Sequence, residues 1–219
     1  IINQDSIRFV YDGICIGFAK HYLTSRIIYH KNLKIKEIQN YKLDLVDCDI
    51  VTFHPETKEE YALARTEIKS GEGYLGFSCD FGKDVTLCDD LSRRDLTINA
   101  MAMQPVDEDT MLFFDPFNGQ SDLQNKVLRH TSNAFRDDPV RVLRIARFRA
   151  RFGPDWKIAP ETNDMIYEMG RKGTLDELQP ERIWKEMSRA LMEKHPRLFF
   201  DTLLECDVLH RIFPEIYRL

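Results

Sequence analysis

Beyond about residue 131 the sequence changes from strand-like runs to helical segments, and each segment is bounded by proline or glycine. The first, TSNAFRDDPVRVLRIARFRARFG, has Asp137 or Asp138 as its N-cap, Pro139 in its first turn and Gly153 at its end. Three more follow: APETNDMIYEMGRKG, LQPERIWKEMSRALMEKHP and PRLFFDTLLECDVLHRIFP. The second part of the chain is therefore predicted to be all-helical.

The first part of the chain has a different pattern. Its runs DCDIVTFHP, EEYALARTE and MLFFDPF have the character of short strands, and they alternate with loop-forming and helical residues. The sequence thus predicts an α+β fold with two domains. A mixed-sheet domain is expected over residues 1–133, and a helical domain over residues 134–219.

Composition excludes several classes of protein. The five cysteines are widely spread and form no C-x-x-C pair, so neither a zinc site nor a disulfide framework is expected. We expect the cysteines to be reduced thiols of a cytoplasmic protein. No apolar run approaches the length of about eighteen residues that spans a membrane, and no signal-peptide pattern opens the chain. We therefore expect a cytoplasmic protein without a membrane partner.

Charge is distributed unevenly along the chain. The net charge of −5 argues against a protein that coats nucleic acid by bulk electrostatics. Between Arg136 and Lys157, however, seven lysines and arginines stand against three aspartates. Such a stripe suits a polyphosphate or an RNA backbone, and it is equally typical of a solvated helix face.

The helix expected to start at Asp138 carries three charged residues on one face. At 100° per residue Asp138, Arg141 and Arg144 lie together. The residues on the opposite side are expected to pack: Val142, Leu143, Ala146 and Ala150. An aspartate beside an arginine can read the edge of a base. A surface pair with no further role is the other interpretation.

A second charged motif, SRRDLTINAM, runs into an apolar stretch. Arg93 and Arg94 can be surface residues, with Asp95 as a helix cap. Alternatively, a helical turn brings Asp95 and Asn99 to one face near Arg94, whose guanidinium suits a triphosphate oxygen.

Four motifs in this order resemble those of class II tRNA nucleotidyltransferases, the CCA-adding enzymes, whose close relatives are the bacterial poly(A) polymerases. They are RRDLTINAMAM, FDPFNGQSDL, RDDPVRVLRIARF and LQPERIWKE. The resemblance extends from His54 to the end of the chain and is strongest to the bacterial CCA-adding branch. It implies a nucleotidyltransferase head domain followed by a helical neck.

The resemblance also implies roles for individual residues. Arg94 and Asp95 would hold the sugar and phosphates of the nucleotide, supported by Asn99. Asp138 and Arg141 would be the amino-acid template that selects CTP and then ATP, and Arg144 would be a further nucleotide contact. The family's E-D-x-x-R motif begins here with Asp137 in place of glutamate.

The first 53 residues depart from the family, which carries G-G-x-V-R-D and then D-x-D for Mg²⁺. Neither family motif stands there at its expected place. Asp47 and Asp49 form the D-x-D pattern before two β-branched residues, and on a strand both would point to one face. They are the candidate catalytic and metal-binding pair. They stand immediately before TFHPE, however, where the family has an ordinary strand, and acidic residues at a strand edge are the other interpretation.

The function implied is transfer of CMP and AMP from CTP and ATP to the 3′ end of tRNA, with release of pyrophosphate and with Mg²⁺ as cofactor. Two alternatives stay open. One is a poly(A) polymerase-like enzyme, and the other is a catalytically degenerate nucleotide- or RNA-binding homologue that lacks the metal carboxylates.

Replacing Asp47 and Asp49 together by asparagine tests the metal pair. If these carboxylates bind Mg²⁺, incorporation of nucleotide into tRNA should vanish while binding of the nucleotide without metal survives. Incorporation at the wild-type rate would remove the two residues from consideration.

Overall fold

A computed structural model of the protein describes residues 8–11, 14–18, 22–23, 51–53, 60–69, 77–80, 85–105 and 111–219. Contacts divide the chain into two units. The first comprises Ile1–Arg93 and Met101–Pro116, and the second comprises Arg94–Ala100 and Phe117–Leu219. Because these units interleave along the chain, the domain boundary expected between residues 133 and 134 stays a prediction.

The first unit contains short strands and one described helix. The strands are β1 (Arg8–Tyr11), β2 (Ile14–Phe18), β3 (Tyr22–Leu23), β4 (Val51–Phe53), β5 (Glu60–Leu63), β6 (Thr66–Lys69), β7 (Phe77–Asp80), β8 (Ala102–Pro105) and β9 (Met111–Phe114). Strand β5 lies between β3, to which it is parallel, and β4, to which it is antiparallel. Antiparallel pairs join β1 to β2, β6 to β7 and β8 to β9. The mixed pairing and the helices confirm the predicted α+β class.

Helix α1 (Leu87–Ser92) of the first unit starts at a capping box. The Thr86 hydroxyl accepts from the Asp89 amide at 3.2 Å, and the Asp89 carboxylate accepts from the Thr86 amide at 2.8 Å. These two reciprocal bonds satisfy amide donors that a helix start leaves without a partner in the helix.

The second unit is mainly helical. Its helices are α2 (Gly119–Gln124), α3 (Val140–Phe152), α4 (Pro160–Arg171), α5 (Pro180–Leu191), α6 (Arg197–Glu205), α7 (Leu209–Ile212) and α8 (Pro214–Tyr217). Short 3₁₀ helices cover Thr97–Asn99, Asn133–Asp137 and Thr174–Glu177. One parallel pair joins β10 (Val127–Leu128) to β11 (Lys157–Ile158). Within the described residues, no helix has the length and apolar character needed to cross a membrane.

Helix α3 occupies the core of the second unit and packs against α5 and α6. Its apolar side is the predicted one, since Val142, Leu143, Ala146 and Ala150 are all fully buried. The helix ends at Gly153, whose φ of +103° disfavours any residue with a side chain. A Cβ atom there would also lie 3.1 Å from the His195 ring.

The last predicted helical segment is divided into two helices, α6 and α7, and α8 begins at its final residue, Pro214. Helix α6 ends because Asp207 adopts a φ of +55°. The Val208 amide then donates to the Leu203 carbonyl at 2.9 Å, and the Asp207 amide donates to the Leu204 carbonyl at 3.0 Å. This is a Schellman arrangement, which usually uses glycine at the left-handed position. An aspartate there gives no glycine signal, so the sequence did not predict this helix end.

A buried ion pair connects α3 to α5. The Arg147 Nε donates to Glu186 Oε2 at 2.6 Å, and the two residues are only 8% and 5% exposed. Glu193 is the other carboxylate near this guanidinium, at 4.0 Å. A charge buried at this depth needs its counter-ion, because removing one partner leaves the other without compensation.

Glu186→Gln should therefore lower the free energy of unfolding by about 3–5 kcal/mol, as measured by urea denaturation. The double variant Arg147→Met, Glu186→Leu should recover most of this loss, because it removes both charges. Glu181→Gln, at an exposed position of the same helix, serves as control. Equal stability of Glu186→Gln and Glu181→Gln would contradict the importance of the pair.

Candidate nucleotide-binding site

The segment Arg94–Ala100 is fixed to the second unit by its backbone. The Thr97 amide donates to the Arg129 carbonyl at 3.0 Å, and the Thr131 amide donates to the Asp95 carbonyl at 3.2 Å. The preceding residue, Arg93, belongs to the first unit, so the two adjacent arginines of the RRD motif lie in different units. The candidate residues Arg94, Asp95 and Asn99 are thereby held in the same unit as α3.

Asp95 lies at the centre of this group, and it is 7% exposed. Its Oδ2 accepts from Nε of Arg144 at 2.7 Å, and Nη2 of Arg144 lies 2.7 Å from the same oxygen. Its Oδ1 accepts from Nδ2 of Asn99 at 3.0 Å and from the Leu96 amide at 2.9 Å. A carboxylate has about four acceptor positions, and four protein nitrogens lie within 3.0 Å of the two oxygens of Asp95. Binding of a sugar hydroxyl by Asp95 requires that one of these donors be displaced.

The environment of Asp95 keeps its carboxyl ionised. Burial by itself would raise the pKa of Asp95, but the charge of Arg144 and the hydrogen bonds from Asn99, Arg144 and Leu96 lower that pKa overall. The ionised form is the one that accepts hydrogen bonds at both oxygens.

The two arginines of this group differ in surroundings. Burial lowers the pKa of Arg94, against the charge of Asp95, and its Nη1 donates to the Asn99 carbonyl at 3.1 Å. Burial also acts to lower the pKa of Arg144, but Asp95, followed by Glu186 and Asp138, raises it overall. Both guanidinium groups remain cationic, because an arginine side chain is not deprotonated in proteins. The site is therefore suited to an anionic ligand.

Asp138 precedes α3 in extended conformation, with φ −126° and ψ 102°. The helix thus starts two residues later than expected, at Val140. The two oxygens of Asp138 accept from Nη1 and Nη2 of Arg182, each at 2.8 Å, and Oδ1 also accepts from the Val140 amide at 3.2 Å. Asp138 and Arg144 are close enough for the carboxylate to raise the pKa of the guanidinium.

Arg141, the other expected template residue, lies in the first turn of α3. Its Nη1 donates to the Ala134 carbonyl at 2.6 Å. This bond joins the start of α3 to the 3₁₀ helix before it. The structure therefore brings all six expected nucleotide-binding residues into one unit: Arg94, Asp95, Asn99, Asp138, Arg141 and Arg144.

Arg182 was not among the predicted site residues, although it lies within the motif LQPERIWKE. A signal for it exists in the sequence. It is the third residue of α5, where the positive end of the helix dipole disfavours a cation. An arginine in a first turn therefore indicates a specific carboxylate partner, but the sequence does not reveal that this partner is Asp138, 44 residues away.

The candidate metal pair Asp47 and Asp49 lies outside the described residues. Among the residues that are described, no group of three or more histidine, cysteine, aspartate or glutamate side chains could hold a metal ion. The described part of the chain thus contains the candidate nucleotide-binding residues and no such cluster of metal-binding side chains.

Two family models match this chain. The model described as "Poly A polymerase head domain" matches residues 9–129, and the model described as "Probable RNA and SrmB- binding site of polymerase A" matches residues 155–219. The candidate residues Arg94, Asp95 and Asn99 lie within the first match. The residues of the Asp138 motif fall between the two.

Individual relatives agree with the family models. The chain is 58% identical over 170 residues to a "Multifunctional CCA protein" of Acinetobacter baumannii (strain AYE), and the aligned region is 77% of this chain and 40% of that protein. It is also similar to a solved complex of a CCA-adding enzyme with CTP, with a TM-score of 0.59 and 30% identity over 75% of this chain and 39% of that one. A complex with ATP gives a TM-score of 0.59 and 27% identity, over 82% and 41% of the two chains. The chain therefore spans about 40% of the length of these proteins.

The ion pair of Asp95 predicts how stability depends on pH. Because the pKa of Asp95 is lowered in the folded protein from its ordinary 3.8, its stabilising effect is complete well above that value and is lost as the pH falls through the lower, folded-state pKa. Asp95→Asn should cost about 1–3 kcal/mol of unfolding free energy at pH 7.

Urea denaturation of the wild type and of Asp95→Asn measures this effect. The difference between them should narrow as the pH is lowered below 3.8. Asp164→Asn, at an exposed position of α4, is the control and should match the wild type. A difference that stays constant down to the lowest pH would show that the charge of Asp95 does not stabilise the fold.

Proposed function

Because the chain belongs to the family of the poly(A) polymerase head domain, we propose that it forms the head and neck of a CCA-adding tRNA nucleotidyltransferase. The reaction is transfer of CMP and AMP from CTP and ATP to the 3′ end of tRNA, with release of pyrophosphate. Identity of 58% to a CCA protein and similarity to CCA-adding enzymes bound to CTP and ATP support this function. Since the chain spans only 40% of the length of that relative, the complete reaction is part of this proposal.

The observation that carries the proposal is the position of Asp138 at the start of α3, followed by Arg141 in its first turn. Cytosine and adenine share one recognition edge, an exocyclic amine beside a ring nitrogen that accepts a hydrogen bond. A carboxylate accepts from the amine, and a guanidinium donates to the ring nitrogen. Uracil and guanine present a carbonyl and a ring N–H at the same edge, so this pair rejects them. One aspartate and one arginine thus suffice to select both CTP and ATP.

The remaining residues of the site are assigned to the sugar and phosphates. Arg94 and Arg144 are cations that match phosphate oxygens, and Asn99 offers an amide to the sugar. Asp95 fixes Arg144 and Asn99 through its hydrogen bonds. It takes a sugar hydroxyl itself only by exchanging one of these donors.

We propose Mg²⁺ as the cofactor of the protein, with Asp47 and Asp49 as its candidate ligands. When bound, the metal would activate the terminal hydroxyl of the tRNA. We place the reaction in the cytoplasm, where widely spaced cysteines are expected to stay reduced.

The function is tested by incubating tRNA that lacks its 3′ terminus with labelled CTP and ATP, with Mg²⁺ or with EDTA. The expected result is metal-dependent addition of CMP followed by AMP. Long adenylate tails made from ATP alone would instead establish poly(A) addition, which the family model also allows. Nucleotide binding without any addition would establish a degenerate homologue.

Arg141→Ala separates recognition from folding. It should reduce the discrimination between correct and incorrect nucleotides about tenfold, because it removes the group that contacts the ring nitrogen. Loss of its bond to the Ala134 carbonyl should cost only about 1 kcal/mol of stability. Arg151→Ala, at an exposed position of the same helix, is the matched control. A large fall in stability with discrimination unchanged would assign Arg141 a structural role.

A further inference from the structure

We infer that Arg182 is a positioning residue for nucleotide selection: it fixes the orientation of the Asp138 carboxylate and so determines how strictly CTP is preferred to UTP. This inference rests on the proposed function, in which Asp138 reads the exocyclic amine. It assigns the role of orientation to a residue of α5, outside the motif that contains Asp138.

The geometry of the contact supports an orienting role. A guanidinium that donates two parallel hydrogen bonds to both oxygens of a carboxylate fixes the plane of that group as well as its position. Arg182 makes both bonds to Asp138 at 2.8 Å. The terminal torsion of an aspartate is otherwise broad, so a carboxylate without such a partner samples many orientations.

The hydrogen bonds also determine which acceptor position Asp138 can offer. Its Oδ1 accepts from both Arg182 and the Val140 amide, whereas its Oδ2 accepts from Arg182 alone among the described residues. Since each oxygen has about two acceptor positions, one remains on Oδ2. The structure thus directs the base amine to Oδ2. Asp95 differs in this respect, because two protein nitrogens lie within 3.0 Å of each of its oxygens.

The packing of α3 on α5 does not rest on the Asp138–Arg182 pair alone. The buried pair Arg147–Glu186 already joins these helices. The side chains of Arg182 and Asp138 are 27% and 20% exposed, so water compensates their charges more than those of the buried pair. Arg182 also lies in a first turn, against the helix dipole. Orientation of the carboxylate accounts for these features better than stability does.

The test measures dissociation constants of CTP and UTP by calorimetry for the wild type, Arg182→Gln, Arg182→Lys and Asp138→Asn. In Arg182→Gln the ratio of the UTP constant to the CTP constant should fall about tenfold, because the amine loses an aligned acceptor. Arg182→Lys should give an intermediate ratio, since lysine keeps the charge without the planar fork. Lys185→Gln removes a cation from an exposed position of the same helix and should match the wild type.

The double variant Asp138→Asn, Arg182→Gln tests whether Arg182 acts through the Asp138 carboxylate. If Arg182 acts through this carboxylate, adding Arg182→Gln to Asp138→Asn should not lower the ratio further. A further fall in the double variant would overturn the inference. So would a wild-type ratio in Arg182→Gln, and so would an equal fall in Lys185→Gln. Should Arg182→Gln fail to fold, Arg182→Lys carries the same test.

These outcomes are distinct from failure of the proposed function. A wild-type protein that binds UTP as tightly as CTP would refute base selection itself, whatever the variants do. The other outcome is a wild type that binds CTP more tightly than UTP, with this preference lost in Asp138→Asn and retained in Arg182→Gln. That result would refute only the role of Arg182.

Discussion

The ion pair between Asp95 and Arg144 is the interaction on which the arrangement of the candidate site depends. It joins a short segment of chain to the central helix of the second unit across 49 residues of sequence. Since its carboxylate is buried, ionised and hydrogen-bonded at both oxygens, Asp95 holds Arg144 and Asn99 in fixed positions. The cations around it are thereby arranged before any ligand is bound. Such preorganisation reduces the cost of ordering side chains on binding.

Two further ion pairs connect residues of the α3 region to α5, and they differ in surroundings. Arg147 and Glu186 are buried, so their charges must be matched for the two helices to pack. Asp138 and Arg182 are partly exposed, so packing of the helices depends less strictly on this pair. The α3 region and α5 are thus joined by two ion pairs with different roles. Arg147–Glu186 stabilises the packing, and Asp138–Arg182 is available for recognition of the nucleotide.

Local features of the fold could be predicted from the sequence, and long-range contacts could not. The helices starting at Pro160 and Pro180, the buried face of α3 and its end at Gly153 all depend on residues close in sequence. The stop at Asp207 was missed because an aspartate in a left-handed conformation gives no glycine signal. In the site, the resemblance identified the charged residues. The partner of Asp138 could not be found, because that pairing is created by tertiary packing.

The interleaving of the two units has a consequence for how such a protein can evolve. The chain passes between the units three times, because Arg94–Ala100 lies between two stretches of the first unit. A single recombination joint after residue 100 would therefore combine Asp95 from one parent with Arg144 from another. The carboxylate of one parent must then be matched to the guanidinium of the other for the hybrid to keep this ion pair. Exchange of the second unit as a whole therefore needs three joints, and the six candidate residues are inherited together only when the short segment Arg94–Ala100 is exchanged with the helices.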